Sequence, residues 1–125
     1  MSALEPFGSP MSKQRSNYMA KADVLFAKMI KERDVNCQNC GSVDNRQTAH
    51  LISRSYKSIR CDPDNAVCLC RSCHIKYTMR PLEWRQWVEE RFPGRWDALT
   101  KKALTYPKVD WKSEYHALSV GSVEP

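Results

Sequence analysis

Cys37-Gln38-Asn39-Cys40 and Cys70-Arg71-Ser72-Cys73 are two matched Cys-x-x-Cys pairs, and 29 residues separate them. Each short pair forms a turn, or knuckle, with both sulfurs pointing the same way. Gly41 follows the first pair and tolerates the positive φ that such a turn needs. Four thiolates brought together at tetrahedral geometry close a structural zinc site and leave no position for substrate. Buried free cysteines or disulfides are the plainer alternative. A disulfide framework fits poorly, because no secretory signal is visible and a reducing compartment is expected.

The spacing exceeds that of a plain zinc ribbon, so chain is inserted between the knuckles. Thr48-Ala49-His50-Leu51-Ile52 predicts a short strand that ends in a polar turn. Asp62-Pro63-Asp64-Asn65 is a loop by composition, and Ala66-Val67-Cys68-Leu69 leads apolar residues into the second knuckle. His74 follows Cys73 directly, and the chain continues as a helix. Taken singly, His50 reads as a hydrogen-bonded core histidine, Asn65 as a turn residue, and His74 as a surface residue or an extra zinc ligand. Their order and their distance from the knuckles carry weight only together, through the family pattern that they resemble.

This pattern resembles the HNH endonucleases, a ββα-metal fold. The residues that carry the resemblance are Ala49-His50, then Asn65, then Leu69-Cys70-x-x-Cys73-His74-x-Lys76-x-Thr78. More narrowly, residues 37–99 resemble phage HNH proteins related to the NinG recombination family. The matching phrases are Cys-Gln-Asn-Cys-Gly, Ala-His-Leu-Ile-Ser-Arg and Asp-Asn-Ala-Val-Cys-Leu-Cys-Arg-Ser-Cys-His. The resemblance reaches the preceding helix, residues 21–34, and implies metal-assisted phosphodiester hydrolysis in a phage or prophage setting, for recombination, DNA processing or packaging. His50 would be the general base. His74 would hold a catalytic Mg²⁺ or Mn²⁺, and Asn65 would pin the loop that orients His50. Many family members have a second metal ligand, Asp or His, just before the base. Alanine, which cannot ligate, stands there at position 49. Asp62, Asp64, Thr78 and water remain open as substitutes.

A length of 125 residues suits one domain with a modest core, which zinc would reinforce. The net charge of +6 and pI near 9.1 suit a polyanionic partner, with duplex or branched DNA in front. No stretch approaches the ~20 apolar residues of a membrane span, so a cytoplasmic protein is expected, in the host if phage-encoded. Residues 53–60, Ser-Arg-Ser-Tyr-Lys-Ser-Ile-Arg, place three cations and several hydroxyls in the loop or second strand just after His50. Arg54, Lys57 and Arg60, with Lys76 beyond the second knuckle, are the candidate phosphate contacts. A solvated charged loop is the alternative.

Residues 1–17 read as a disordered lead-in, with Pro6, Gly8, Pro10 and scattered serines. A helix follows, capped by Ser16 or Asn17 and running to Asp34, with Leu25/Met29 and Phe26/Ile30 laying down an apolar stripe. Cys61 and Cys68 lack paired spacing and read as small core residues. Pro81 starts another helix carrying Leu82, Trp84, Trp87, Val88 and Phe92, Pro93-Gly94 breaks it, and a further helix ends before Pro107. The helical spacing of the tryptophans favours core packing over base stacking. Residues 107–125 read as a tail, with His116 on the surface and room for a phage protein partner. The expected architecture is therefore α+β: a zinc-stabilised ββα core with flanking helices across residues 18–106. A non-catalytic, zinc-dependent nucleic-acid-binding module is the competing function. No oligomeric interface is legible.

Overall fold

A computed structural model describes residues 10–105 and 107–123. The element order is α1 (Pro10–Asp34), β1 (Arg46–His50), β2 (Ala66–Cys70), α2 (Arg71–Thr78), α3 (Pro81–Arg91), α4 (Arg95–Ala103) and α5 (Trp111–Val123). Short 3₁₀ turns at Lys57–Ile59 and Pro63–Asn65 break the connection between the strands. This is the expected α+β arrangement, a small ββα core with helices on both sides.

The strands pair antiparallel, with Arg46 opposite Cys70, Thr48 opposite Cys68 and His50 opposite Ala66. A two-stranded ribbon cannot hold itself in water, so both of its faces need cover. All five residues of β2 are buried. On one face Ala49, Val67 and Leu69 pack with Cys73, Trp84, Val88, Leu99 and Ala103 from α2, α3 and α4. On the other, Ala66 and Cys61 pack with Ala22, Phe26 and Ile30 of α1 and Trp111 of α5. Positions 22, 26 and 30 are spaced four apart, which stacks them on one helical face. The free edge of β2 is covered rather than exposed. The Cys68 N–H donates to Asp34 Oδ2 at 2.8 Å, and Arg33 Nη2 donates to the Ala66 carbonyl at 2.8 Å.

The strands and both ends of the chain differ from the sequence reading. β1 spans Arg46–His50 rather than residues 48–52, and the second strand is Ala66–Cys70 rather than residues 53–60, which form turns. Residues 10–17 of the expected lead-in are helical, since α1 begins at Pro10, whose missing N–H costs nothing at a first helical position. Residues 1–9 of that segment lie outside the described residues. The expected tail contains α5, which packs against α1. Trp111 is buried there, and the Tyr115 ring sits 5.7 Å from Tyr18. Among the tryptophans, Trp84 and Trp111 are buried and Trp87 and Trp96 are partly buried against the core, as the core reading expects. Cys61 and Cys68 are buried as well.

Candidate functional site

The two knuckles meet at the end of the hairpin. The first closes through Gly41 N–H to the Cys37 carbonyl at 2.8 Å, with Gly41 at φ 84°. The second is built on the strand–helix junction, where Cys70 is the last residue of β2 and caps α2, with Cys73 in the first helical turn. The Sγ atoms of Cys37, Cys40, Cys70 and Cys73 all lie within 4.8 Å of one another, and Cys40 and Cys70 are 3.6 Å apart. Tetrahedral zinc, with Zn–S of about 2.3 Å, requires sulfurs about 3.8 Å apart, so the set fits zinc. Burial pushes the Cys37 thiol up, but amide N–H groups of Cys40, Cys70 and Asn39 bring it down to about 6. Asn39 braces this centre. Its Nδ2 donates to Cys73 Sγ at 3.2 Å, and its Oδ1 accepts from Trp87 Nε1 at 3.1 Å and Tyr77 Oη at 3.3 Å.

Alternation along β1 divides the remaining candidates. Thr48 and His50 face α1: the Thr48 hydroxyl donates to the Ala27 carbonyl at 3.0 Å, and the His50 ring lies 5.7 Å from Phe26. Gln47 and Ala49 face the other way, toward α2 and the larger core cluster. His50 is half-buried, with Nε2 2.8 Å from the Arg60 carbonyl. A carbonyl only accepts, so Nε2 carries the proton and Nδ1 keeps a lone pair in the neutral ring. Burial holds the His50 pKa below its usual 6.5, with smaller lowering effects from the Arg54 and Arg60 charges.

Asn65 is completely buried. Its Oδ1 accepts from Ile52 N–H at 2.8 Å, and its Nδ2 donates to the carbonyls of Ile52 and Ile59, both at 3.0 Å. Its own carbonyl accepts from Leu51 N–H at 2.9 Å. One side chain thus ties the exit of β1 to the turn that carries the Arg60 carbonyl.

His74 sits in α2 with Nδ1 2.7 Å from Gln47 Oε1. That acceptor places the proton on Nδ1 and leaves Nε2 available to a metal, an arrangement common to metal-binding imidazoles. Among the described residues, His50 and His74 share no hydrogen-bond partner, and each meets a different side of the hairpin. The residues open as further metal ligands have other partners. Asp62 accepts from Lys102 Nζ at 2.6 Å, Asp64 pairs with Arg95 at 3.8 Å, and the Thr78 hydroxyl donates to the His74 carbonyl at 2.7 Å. Among the described residues, the four cysteines are the group of three or more side chains placed to hold a metal ion.

Of the four candidate phosphate contacts, Arg54, Lys57 and Lys76 are exposed. Arg60 differs: its Nε and Nη2 reach Asp23 Oδ1 and Oδ2 at 2.8 and 2.6 Å, and its side chain is 13 % exposed. Gln47, Asn39 and Asp23 are the residues that sequence reading missed. Period-two alternation could have placed Gln47 beside position 49. Nothing local marks Asp23, because its partner lies 37 residues away.

Residues 37–80 match the family model described as HNH endonuclease. That span holds both cysteine pairs, His50, Asn65 and His74, and covers 44 of the chain's 125 residues. No curated protein and no solved structure matches the chain.

Proposed function

We propose that this chain is a metal-dependent, HNH-type endonuclease that hydrolyses phosphodiester bonds in DNA. The observation that carries the reading is the fixed proton placement on two imidazoles within the HNH-matched span. His50 presents Nδ1 and His74 presents Nε2, each because the other nitrogen is bonded to an acceptor. His50 Nδ1 takes the proton from a water as that water attacks phosphorus. Its depressed pKa keeps it in the base form at neutral pH. A Mg²⁺ or Mn²⁺ ion held at His74 would supply Lewis-acid stabilisation of the charge on the phosphoryl and leaving oxygens. Asn65 holds the loop geometry. Arg54, Lys57 and Lys76 contact the phosphate backbone, while Arg60 is engaged by Asp23. A phage role in recombination, DNA processing or packaging follows from the resemblance to NinG-related proteins.

A second reading, a zinc-dependent nucleic-acid-binding module without catalysis, is favoured by two features. Alanine occupies position 49, and no carboxylate or histidine joins His74 in a metal-ligand group among the described residues. One experiment separates the two: supercoiled plasmid incubated with zinc-loaded wild type and His50→Ala, with and without Mg²⁺ or Mn²⁺. The ion is omitted rather than chelated, because a chelator would also strip the cysteine site. Nicking that requires the added ion and disappears in His50→Ala supports the nuclease. Salt-sensitive binding with no cleavage by either protein supports the binding module.

A further inference from the structure

We infer that Asp23, on α1 and outside the HNH-matched span, is a positioning residue: by clamping the Arg60 side chain it fixes the backbone carbonyl that sets the His50 tautomer. The inference deepens the nuclease reading and rests on it for its catalytic consequence.

The chain of contacts is continuous. The Asp23 carboxylate takes both arms of the Arg60 fork, at 2.8 and 2.6 Å. A bidentate carboxylate–guanidinium pair fixes orientation as well as distance. The third arm, Arg60 Nη1, donates to the Arg54 carbonyl at 3.3 Å, so the same guanidinium ties both ends of the loop after His50. The Arg60 carbonyl then accepts from His50 Nε2 at 2.8 Å. The segment is also held by Ile59, which is buried in the core, and by the Ser58 hydroxyl, which donates to the Lys102 carbonyl at 3.5 Å, but neither engages the Arg60 guanidinium or its carbonyl. The backbone bonds of the segment are short-range turns, Tyr56 to Ser53, Ile59 to Tyr56 and Arg60 to Lys57. Asn65 anchors the neighbouring carbonyl of Ile59 but not that of Arg60.

Asp23 and Phe26 are three apart on α1 and so lie on one side of the helix. Phe26 meets the imidazole face while Asp23 holds its hydrogen-bond partner in place. A helix beyond the catalytic motif thereby determines which ring nitrogen of the base is free. Without the clamp the carbonyl at position 60 is released, and the His50 ring exchanges between tautomers.

The test uses the full, zinc-loaded chain and ¹⁵N NMR of its three imidazoles, His50, His74 and His116. In wild type, His50 should show one frozen tautomer with a ring Nε2–H slow to exchange with solvent. Asp23→Asn should average the two ring nitrogens and lose that slow proton, and Asp23→Glu, which keeps a carboxylate for the fork, should restore both. Arg60→Lys, which lacks the fork, should behave as Asp23→Asn does and serves if that variant does not fold. For plasmid cleavage, Asp23→Asn should lower kcat by about ten- to a hundredfold, the range for partners that orient functional imidazoles, with KM for DNA little changed. Unchanged His50 ring signals in both Asp23→Asn and Arg60→Lys would overturn the inference. The NMR readout needs no turnover, so failure of the nuclease reading leaves it decidable.

Discussion

Asn65→Ala isolates the residue that holds the loop after β1. The side chain is fully buried and makes three hydrogen bonds, from Ile52 N–H and to the carbonyls of Ile52 and Ile59. Each such bond contributes about 1 kcal/mol net, and a stranded buried N–H costs about 1–3 kcal/mol. The expected loss is therefore about 3–5 kcal/mol. That is a large share of the roughly 5–15 kcal/mol that holds a domain together. Urea unfolding at saturating zinc, followed by tryptophan fluorescence, measures it against wild type. A loss below about 1 kcal/mol would refute the reasoning, because it would mean that water replaces the amide without cost.

Asn65→Asp sharpens the same test. The new carboxyl must face two carbonyls while buried, so its folded-state pKa is raised above the usual ~3.9. The sign follows: a protonated carboxyl can still donate, and that stability is lost as pH rises through the raised pKa. Its deficit relative to wild type should deepen with rising pH, whereas that of Asn65→Ala should stay level.

Removing zinc should unfold the domain, because structural zinc contributes about 10–16 kcal/mol in small metal-dependent folds. Circular dichroism unchanged after complete zinc release would contradict the four-cysteine assignment. Asn39→Ala removes the donor to Cys73 Sγ and the acceptor of the Trp87 indole, and should weaken zinc by about ten- to a hundredfold in a chelator competition, with a change in tryptophan emission. Burial holds the His50 pKa below 6.5, so cleavage should be level at neutral pH and fall on the acid side as the ring is protonated. The same depressed pKa gives a stability contribution that is present above 6.5 and lost as pH falls through the folded value. A rate that rises instead between pH 7 and 9 would assign the base elsewhere.

Much of the core was legible because its signals are local. Paired cysteines, a proline at the start of α3 and the Pro93-Gly94 break each act within a few residues. The apolar run at Ala66 was legible as an approach to the knuckle, but not as the partner of β1. Residues 53–60 were an equal candidate for the second strand, and only the pairing register decides between them. The ends of the chain were not. Residues 10–17 carry no apolar period, and α5 is held by Trp111 and Tyr115 packing on a helix some ninety residues earlier, a relation no window contains. The cations after His50 show the same limit within the site. Arg54, Lys57 and Arg60 look equivalent as letters, yet two are exposed and the third is locked to Asp23. Burial and long-range pairing separate them, and neither is a property of the loop's own sequence.

The split of the hairpin into two faces brings α1, from outside the HNH-matched span, against His50. Helices α2, α3 and α4 cover the Ala49 face, so the His50 face falls to α1 and α5. The low pKa of His50 should accordingly depend on Phe26, whose ring lies 5.7 Å from the imidazole. Phe26→Ala opens space there, at a cost of about 3–5 kcal/mol in stability. Water entering that space restores solvation of the charged ring, and the His50 pKa should rise toward 6.5. Phe26→Leu keeps the wall apolar and should leave the pKa low. An NMR titration of both variants decides the matter. A His50 pKa unmoved in a folded Phe26→Ala protein would refute the idea that burial against Phe26 holds it low.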